Sequence, residues 1–177
     1  MLRFFKSRGV VLGSEEGADF AVPYLDWNEN RHTRQPGESV PLWPLVFHDA
    51  VIASRYTSDD DGAKWAGGTV PASHYPLWLE DMLWGYAVMS HIQDYAQRDA
   101  ALHRMAEKQQ VDAWFRQIST ADMFDHRFLT SDFSLEQTFF SNGQSILVNF
   151  SNEPQSHAGM HIPAHGYKIL TDSGGNS

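Results

Sequence analysis

VPLWPLVFHDAVIAS, residues 40–54, is an almost unbroken apolar run interrupted at one place, by His48 and Asp49. Such a run predicts a strand buried on both faces, because neither face alternates towards water. Strands of this kind belong to parallel sheets with helices packed on them, so the stretch points to an α/β architecture. Sites in such folds gather at strand ends. His48 and Asp49 are therefore candidate site residues at the end of a strand over residues 45–51. The competing expectation is that they only hydrogen-bond each other and cap the strand.

The stretch before it supplies a matching step. Residues 1–8 read as the last turns of a helix, with Gly9 as its stop. Residues 10–12 then read as a short buried strand leaving through the tight turn GSEEG, residues 13–17. Glu15 and Glu16 follow that strand, and Asp26 follows soon after. Glycosidic cleavage needs two carboxyl groups, one to protonate the leaving oxygen and one to stabilise or attack the anomeric carbon. Neighbouring residues at a strand end point opposite ways, so only one of Glu15 and Glu16 can face a ligand. Pro23 forbids a central strand or helix interior over residues 18–27, and residues 28–39 read as a polar loop.

Beyond the organising run, TSDDDGAKWAGG (residues 57–68) is an acidic loop. Its Asp59-Asp60-Asp61-Gly62 could ligate calcium but lacks the EF-hand spacing. A largely covered helix is expected over residues 76–92, and a second from a cap at Asp99 to about Ser119. The period then changes. Residues 127–129, 135–140, 145–150 and 167–170 read as strands, with Asn142-Gly143 in a type I′ hairpin turn. This end is expected to be a small antiparallel β-module, residues 121–177, after an α/β segment, residues 1–120.

The totals bound the function. The chain has 177 residues, 42% of them apolar and 13% aromatic, enough for a sizeable core. A net charge of −9 without a Lys/Arg stripe argues against nucleic acid and anionic membranes as partners, but not against a neutral sugar. With no cysteine there are no disulfides and no thiolate metal sites. MLRFFKSRG lacks the apolar core of a signal peptide, and no stretch is long enough for a membrane span. His157, His161 and His165 recur every four residues, but Gly159, Pro163 and Gly166 oppose the helix that would align them on a metal. No phosphate loop, dinucleotide turn or nucleophile elbow occurs, and no cofactor is expected.

The segments GVVLGSEEGADFAVPYLDW, VPLWPLVFHDAVIASRY, two helices, HRFLTSDFSLEQTFFSNGQSILVNF and GMHIPAHGYKIL, in that order, resemble the C-terminal part of a (β/α)8-barrel glycoside hydrolase. The likeness is to the α-N-acetylgalactosaminidase and endo-α-N-acetylgalactosaminidase type. It implies the last strands and helices of a partial TIM barrel followed by the start of a β-sandwich. It also implies retaining hydrolysis of O-glycosidic bonds, with Glu15 catalytic and Glu16, Asp26, His48 and Asp49 binding carbohydrate on one barrel rim. A full barrel needs about 250 residues. The N-terminal barrel portion is thus expected to be missing or supplied by another chain, leaving this one incomplete and inactive alone. Two other readings stand beside it: a non-catalytic carbohydrate-binding or accessory protein, in which Trp27, Trp43 and Trp65 stack on sugars, and an α+β domain of unrelated function.

Overall fold

The computed structural model describes residues 1–15, 19–30, 39–55, 76–88, 98–99, 102 and 108–171. Strands β1 (Gly13–Glu15), β2 (Trp27–Asn30) and β3 (Ile52–Arg55) form a parallel sheet in that spatial order. Gly13 is level with Trp27 and Ile52, and Glu15 with Glu29 and Ser54. Ala87 extends the parallel pairing by one bridge to Ser54, its N–H donating to the Ala53 carbonyl at 2.8 Å. Helix α1 (Leu2–Lys6) precedes β1, a 3-10 turn (Asp19–Tyr24) joins β1 to β2, and α2 (Leu42–Phe47) precedes β3. These three pack through Leu2, Ala21, Val22, Leu25, Trp43 and Phe47 onto Leu12 and Val51. Helices α3 (Trp78–Trp84) and α4 (Gln109–Ile118) complete the described helical layer.

The organising run is therefore not one strand. Its first half, Leu42–Phe47, is helical, and only Ile52–Arg55 enters the sheet. Pro41 stands at the cap and Pro44 in the first turn, where the missing N–H costs no helical bond. Leu42 and Val46, four apart, share the exposed face, while Pro44 is buried. A short apolar run does not separate a buried strand from a helix, and here the helical period prevails. The strand expected at residues 10–12 is displaced to Gly13–Glu15, because pairing starts where the Leu12 carbonyl accepts the Asp26 and Trp27 N–H groups. Residues 27–30, expected in an irregular stretch, form the middle strand.

Helix α3 ends far short of residue 92. Gly85 takes φ +68°, and the Tyr86 N–H closes on the Asp81 carbonyl at 2.9 Å. Helix α4 begins at Gln109, and Asp99, expected as a cap, is itself helical. Val111, Trp114 and Ile118 are its buried stripe, and the Trp114 indole donates to the Met82 carbonyl at 2.9 Å.

The second sheet is antiparallel: β4 (Met123–Phe128), β5 (Leu135–Phe140), β6 (Gln144–Asn149) and β9 (Gly166–Thr171), in that order. One face sends Phe140, Ile146, Val148, Tyr167 and Ile169 against α3 and α4. The other sends Leu135, Leu147 and Leu170 under a hairpin of β7 (Gln155–His157) and β8 (Met160–Ile162), whose Ile162 and Met160 close that side. The β5–β6 connection departs from the expected type I′ turn. Gly143 has φ +78° but Asn142 does not have a positive φ, and the Gly143 N–H reaches the Phe140 carbonyl at 3.1 Å. That is a three-residue loop with glycine in the left-handed position. The chain as a whole is a small α/β fold with mixed helices and sheets. Among the described residues no helix is long and apolar enough to cross a membrane.

Candidate functional site

Alternation along three parallel strands divides their side chains between two faces. Ser14, Asn28, Ala53 and Arg55 fall on the face bearing Leu12 and Val51, under the helices. Gly13, Glu15, Trp27, Glu29, Ile52 and Ser54 fall on the opposite face. That second face is the unusual one. Val11, on the same side, is 77% exposed and Ile52 46%, although parallel sheets are ordinarily covered on both faces.

The C-terminal ends of the strands bring Glu15, Glu29 and Ser54 into one row on this face, where Ser54 is buried. In-register neighbours in a sheet lie about 5 Å apart. Glu15 is exposed and Glu29 buried. The register thus sets two carboxyl-bearing residues side by side on adjacent strands. One row below, Trp27 is half-buried. Its indole Nε1 donates to Ser54 Oγ at 2.9 Å, and its benzo edge rests on Gly13, where an added Cβ would stand 2.5 Å from Cε3.

The expected rim does not assemble from the other candidates. Asp26 precedes β2, level with Leu12, at the opposite end of the sheet from Glu15. It pairs with Lys6 and accepts the Leu12 N–H at 3.0 Å, and these two bonds, the Lys6 bond foremost, hold its carboxyl below the usual range. His48 and Asp49 lie before β3, again at the N-terminal end. The buried His48 ring has Nδ1 2.8 Å from the Ala121 carbonyl and Nε2 3.1 Å from the Gly85 carbonyl. A neutral ring can donate to only one of these. Burial lowers its pKa, with the two carbonyls pulling the other way. The ring therefore ties α2 to the end of α3 and the start of β4, rather than reaching outward. Asp26 and Asp49 do share a groove of about 590 Å³ with Lys6, Phe47 and Thr120, but it opens at the N-terminal end. Glu16, the acidic loop at residues 57–68 and Trp65 lie outside the described residues.

Of the remaining candidates, Trp43 packs at a tilt against Phe47, ring centroids 4.6 Å apart, within the helical layer. His157 and His161 stand on the two strands of the β7–β8 hairpin, and among the described residues no group of three His, Asp or Glu could hold a metal. Asn149, in a glycosylation-type Asn-Phe-Ser, is fully buried, and its amide donates to the Glu153 and Pro163 carbonyls. Glu29 was not expected. Its signal is the alternation Trp27, Glu29 immediately after the Pro23 turn, weak because WNEN is too polar to announce a central strand.

No protein-family profile and no curated protein matches the sequence. Solved structures do match. The α-N-acetylgalactosaminidase NagBb from Bifidobacterium bifidum in its GalNAc complex shares 23% identity at a TM-score of 0.63, over 96% of this chain and 26% of that one. The ligand-free form gives 25% and 0.61, over 92% and 25%, and the Gal-NHAc-DNJ complex 23% and 0.62, over 93% and 26%. The chain thus spans about a quarter of the solved chains it matches, and the likeness is one of fold.

Proposed function

We propose that the chain is the C-terminal portion of a glycoside hydrolase acting on O-glycosidic bonds, with Glu15 as a carboxyl group that touches the sugar. In this proposal β1, β2, β3 and the Ala87 bridge are late strands of a (β/α)8 barrel within residues 1–120. Residues 121–177 are the β-module that begins a sandwich. The observation that carries it is the row of Glu15, Glu29 and Ser54 at the C-terminal ends of parallel strands, on the face opposite the described helices, with Glu15 exposed. Barrel enzymes place their chemistry at that end and on that inner face. The match to a glycosidase fold over a quarter of its length supports the same assignment.

The ligand follows from the neighbours, whose complexes contain GalNAc and Gal-NHAc-DNJ. A sugar of the GalNAc type is the proposed occupant, and the remaining barrel strands, from a further polypeptide segment, would complete the wall around it. Without them the chain holds sugar weakly and does not turn it over. Asp26, His48 and Asp49 are left out of the proposed site, because the strands carry them to the other end.

The test is GalNAc binding by the full chain, followed by calorimetry or ligand-observed NMR. Glu15→Gln is expected to weaken binding by about tenfold, the loss typical of a hydrogen bond to a charged group. Asp26→Asn, at the far end, is expected to leave it unchanged. Equal affinity in wild type and Glu15→Gln, or sensitivity to Asp26→Asn instead, overturns the assignment. The accessory-protein alternative is favoured by one observation, the Trp27 indole on the open face, and predicts binding that survives Glu15→Gln in full.

A further inference from the structure

The geometry points to Trp27 as the platform on which a sugar ring stacks beside Glu15, an inference that rests on the carbohydrate site proposed above. Three observations converge on this one side chain. Trp27 lies on the open face, in the row just below Glu15, Glu29 and Ser54. Its benzo edge rests against Gly13 on one neighbouring strand, and its pyrrole N–H is held by Ser54 on the other. The indole therefore lies across all three strands. It is only half-buried, so part of it remains available to a ligand.

Each feature has a chemical counterpart in a pyranose. The C–H groups on one side of a sugar ring form an apolar patch that suits an aromatic face, while the hydroxyls point outward to polar partners. A ring resting on Trp27 would have its rim level with Glu15, whose exposed carboxylate can accept hydroxyl hydrogens. The Ser54 hydrogen bond fixes the indole before any ligand arrives, which reduces the ordering cost of binding. Gly13 is the enabling residue. Any side chain there would collide with Cε3 at 2.5 Å and lift the ring off the sheet. Of the three tryptophans weighed from sequence as sugar contacts, Trp43 is taken up by Phe47 and Trp65 lies outside the described residues.

The probe is GalNAc with the full chain, read by one-dimensional proton NMR and by calorimetry. Stacking shifts the C–H protons on one side of the sugar upfield through the indole ring current, a signature that a purely structural tryptophan does not produce. Wild type is expected to show that shift. Trp27→Ala is expected to abolish it and to weaken binding by about tenfold. Gly13→Ala, which touches no ligand, is expected to reduce both by displacing the indole. Trp27→Phe keeps an aromatic face without the Ser54 anchor and is expected to retain a smaller shift, which also covers the case in which Trp27→Ala fails to fold. GalNAc binding that depends on Glu15 but shows no upfield shift and no sensitivity at Trp27 or Gly13 overturns the platform and leaves the proposed function standing. Absence of GalNAc binding by wild type overturns both.

Discussion

The two larger sheets among the described residues are covered to different degrees. The antiparallel sheet β4-β5-β6-β9 has packing on both faces, α3 and α4 on one side and the β7–β8 hairpin on the other. Among the described residues the parallel sheet β1-β2-β3 has helices on one side, and its other face leaves Val11 and Ile52 exposed. In the barrel proposed above, that face would be filled by side chains from the whole ring of strands. The contrast teaches where function can reside. The central strands β5 and β6 are largely buried, whereas the parallel sheet leaves Glu15 exposed and Trp27 half-buried on one face.

The largest effect is expected at the joint between the two regions. Arg55, the last residue of β3, is 1% exposed and bonds Glu80 at the start of α3 and Asp81 at 3.0 Å. Burial opposes its charge, yet the two carboxylates outweigh it and hold the guanidinium above its ordinary pKa. Arg55→Ala leaves two buried carboxylates without their cation and is expected to cost about 3–5 kcal/mol, measured by chemical denaturation. A loss below about 1 kcal/mol would mean that the two sheets are not joined through this cluster. Ile146→Ala, inside the antiparallel sheet at 0% exposure, is expected to cost about 2–5 kcal/mol through the cavity it leaves.

The same contrast decides what was legible in the sequence. β5 and β6 sit within a residue of where alternation and the Asn142-Gly143 pair put them, because antiparallel pairing and its turn are local. The parallel half was misjudged wherever a decision depended on distant partners. Residues 42–47 are apolar in either state, and only packing beside Leu12 and Val51 makes them a helix. WNEN is a middle strand although polar, since its two neighbours satisfy its backbone and the Ser14 hydroxyl donates to the Asn28 side-chain Oδ1 at 2.9 Å. Glu15 was visible as a carboxylate after a strand. Its grouping with Glu29, and its separation from Asp26, His48 and Asp49, follow from register, which no local pattern encodes.

A smaller effect is expected from pH, again at the joint. His48 has its pKa lowered, by burial first, against the pull of the Ala121 and Gly85 carbonyls and of Asp49 and Asp122. Protonation therefore favours the unfolded chain. The contribution is fully present above the unfolded value of 6.5 and is lost as pH falls from there towards the folded value. Thermal midpoints should fall between about pH 7.5 and about pH 5.5. His48→Gln should flatten that segment of the curve while lowering the midpoint at the upper end, where the buried neutral ring donates to one carbonyl and packs on Phe140. An unchanged pH slope in the variant would remove His48 as the source.

The smallest effect is expected on the open face, and its smallness is what makes it informative. Ile52 is a β-branched strand residue, which in the antiparallel sheet would occupy a core position as Ile146 does. Exposed at 46%, it loses little apolar contact when truncated. Ile52→Ala is therefore expected to change stability by no more than about 0.5 kcal/mol, the range of ordinary surface substitutions. The same side chain would matter if further parallel strands closed over the face. In a longer polypeptide that supplies them, the identical substitution should rise to the cost of a core truncation, about 2 kcal/mol or more. Equal small losses in both settings would show that this face stays in water, and a large loss in the present chain would show that it is already covered.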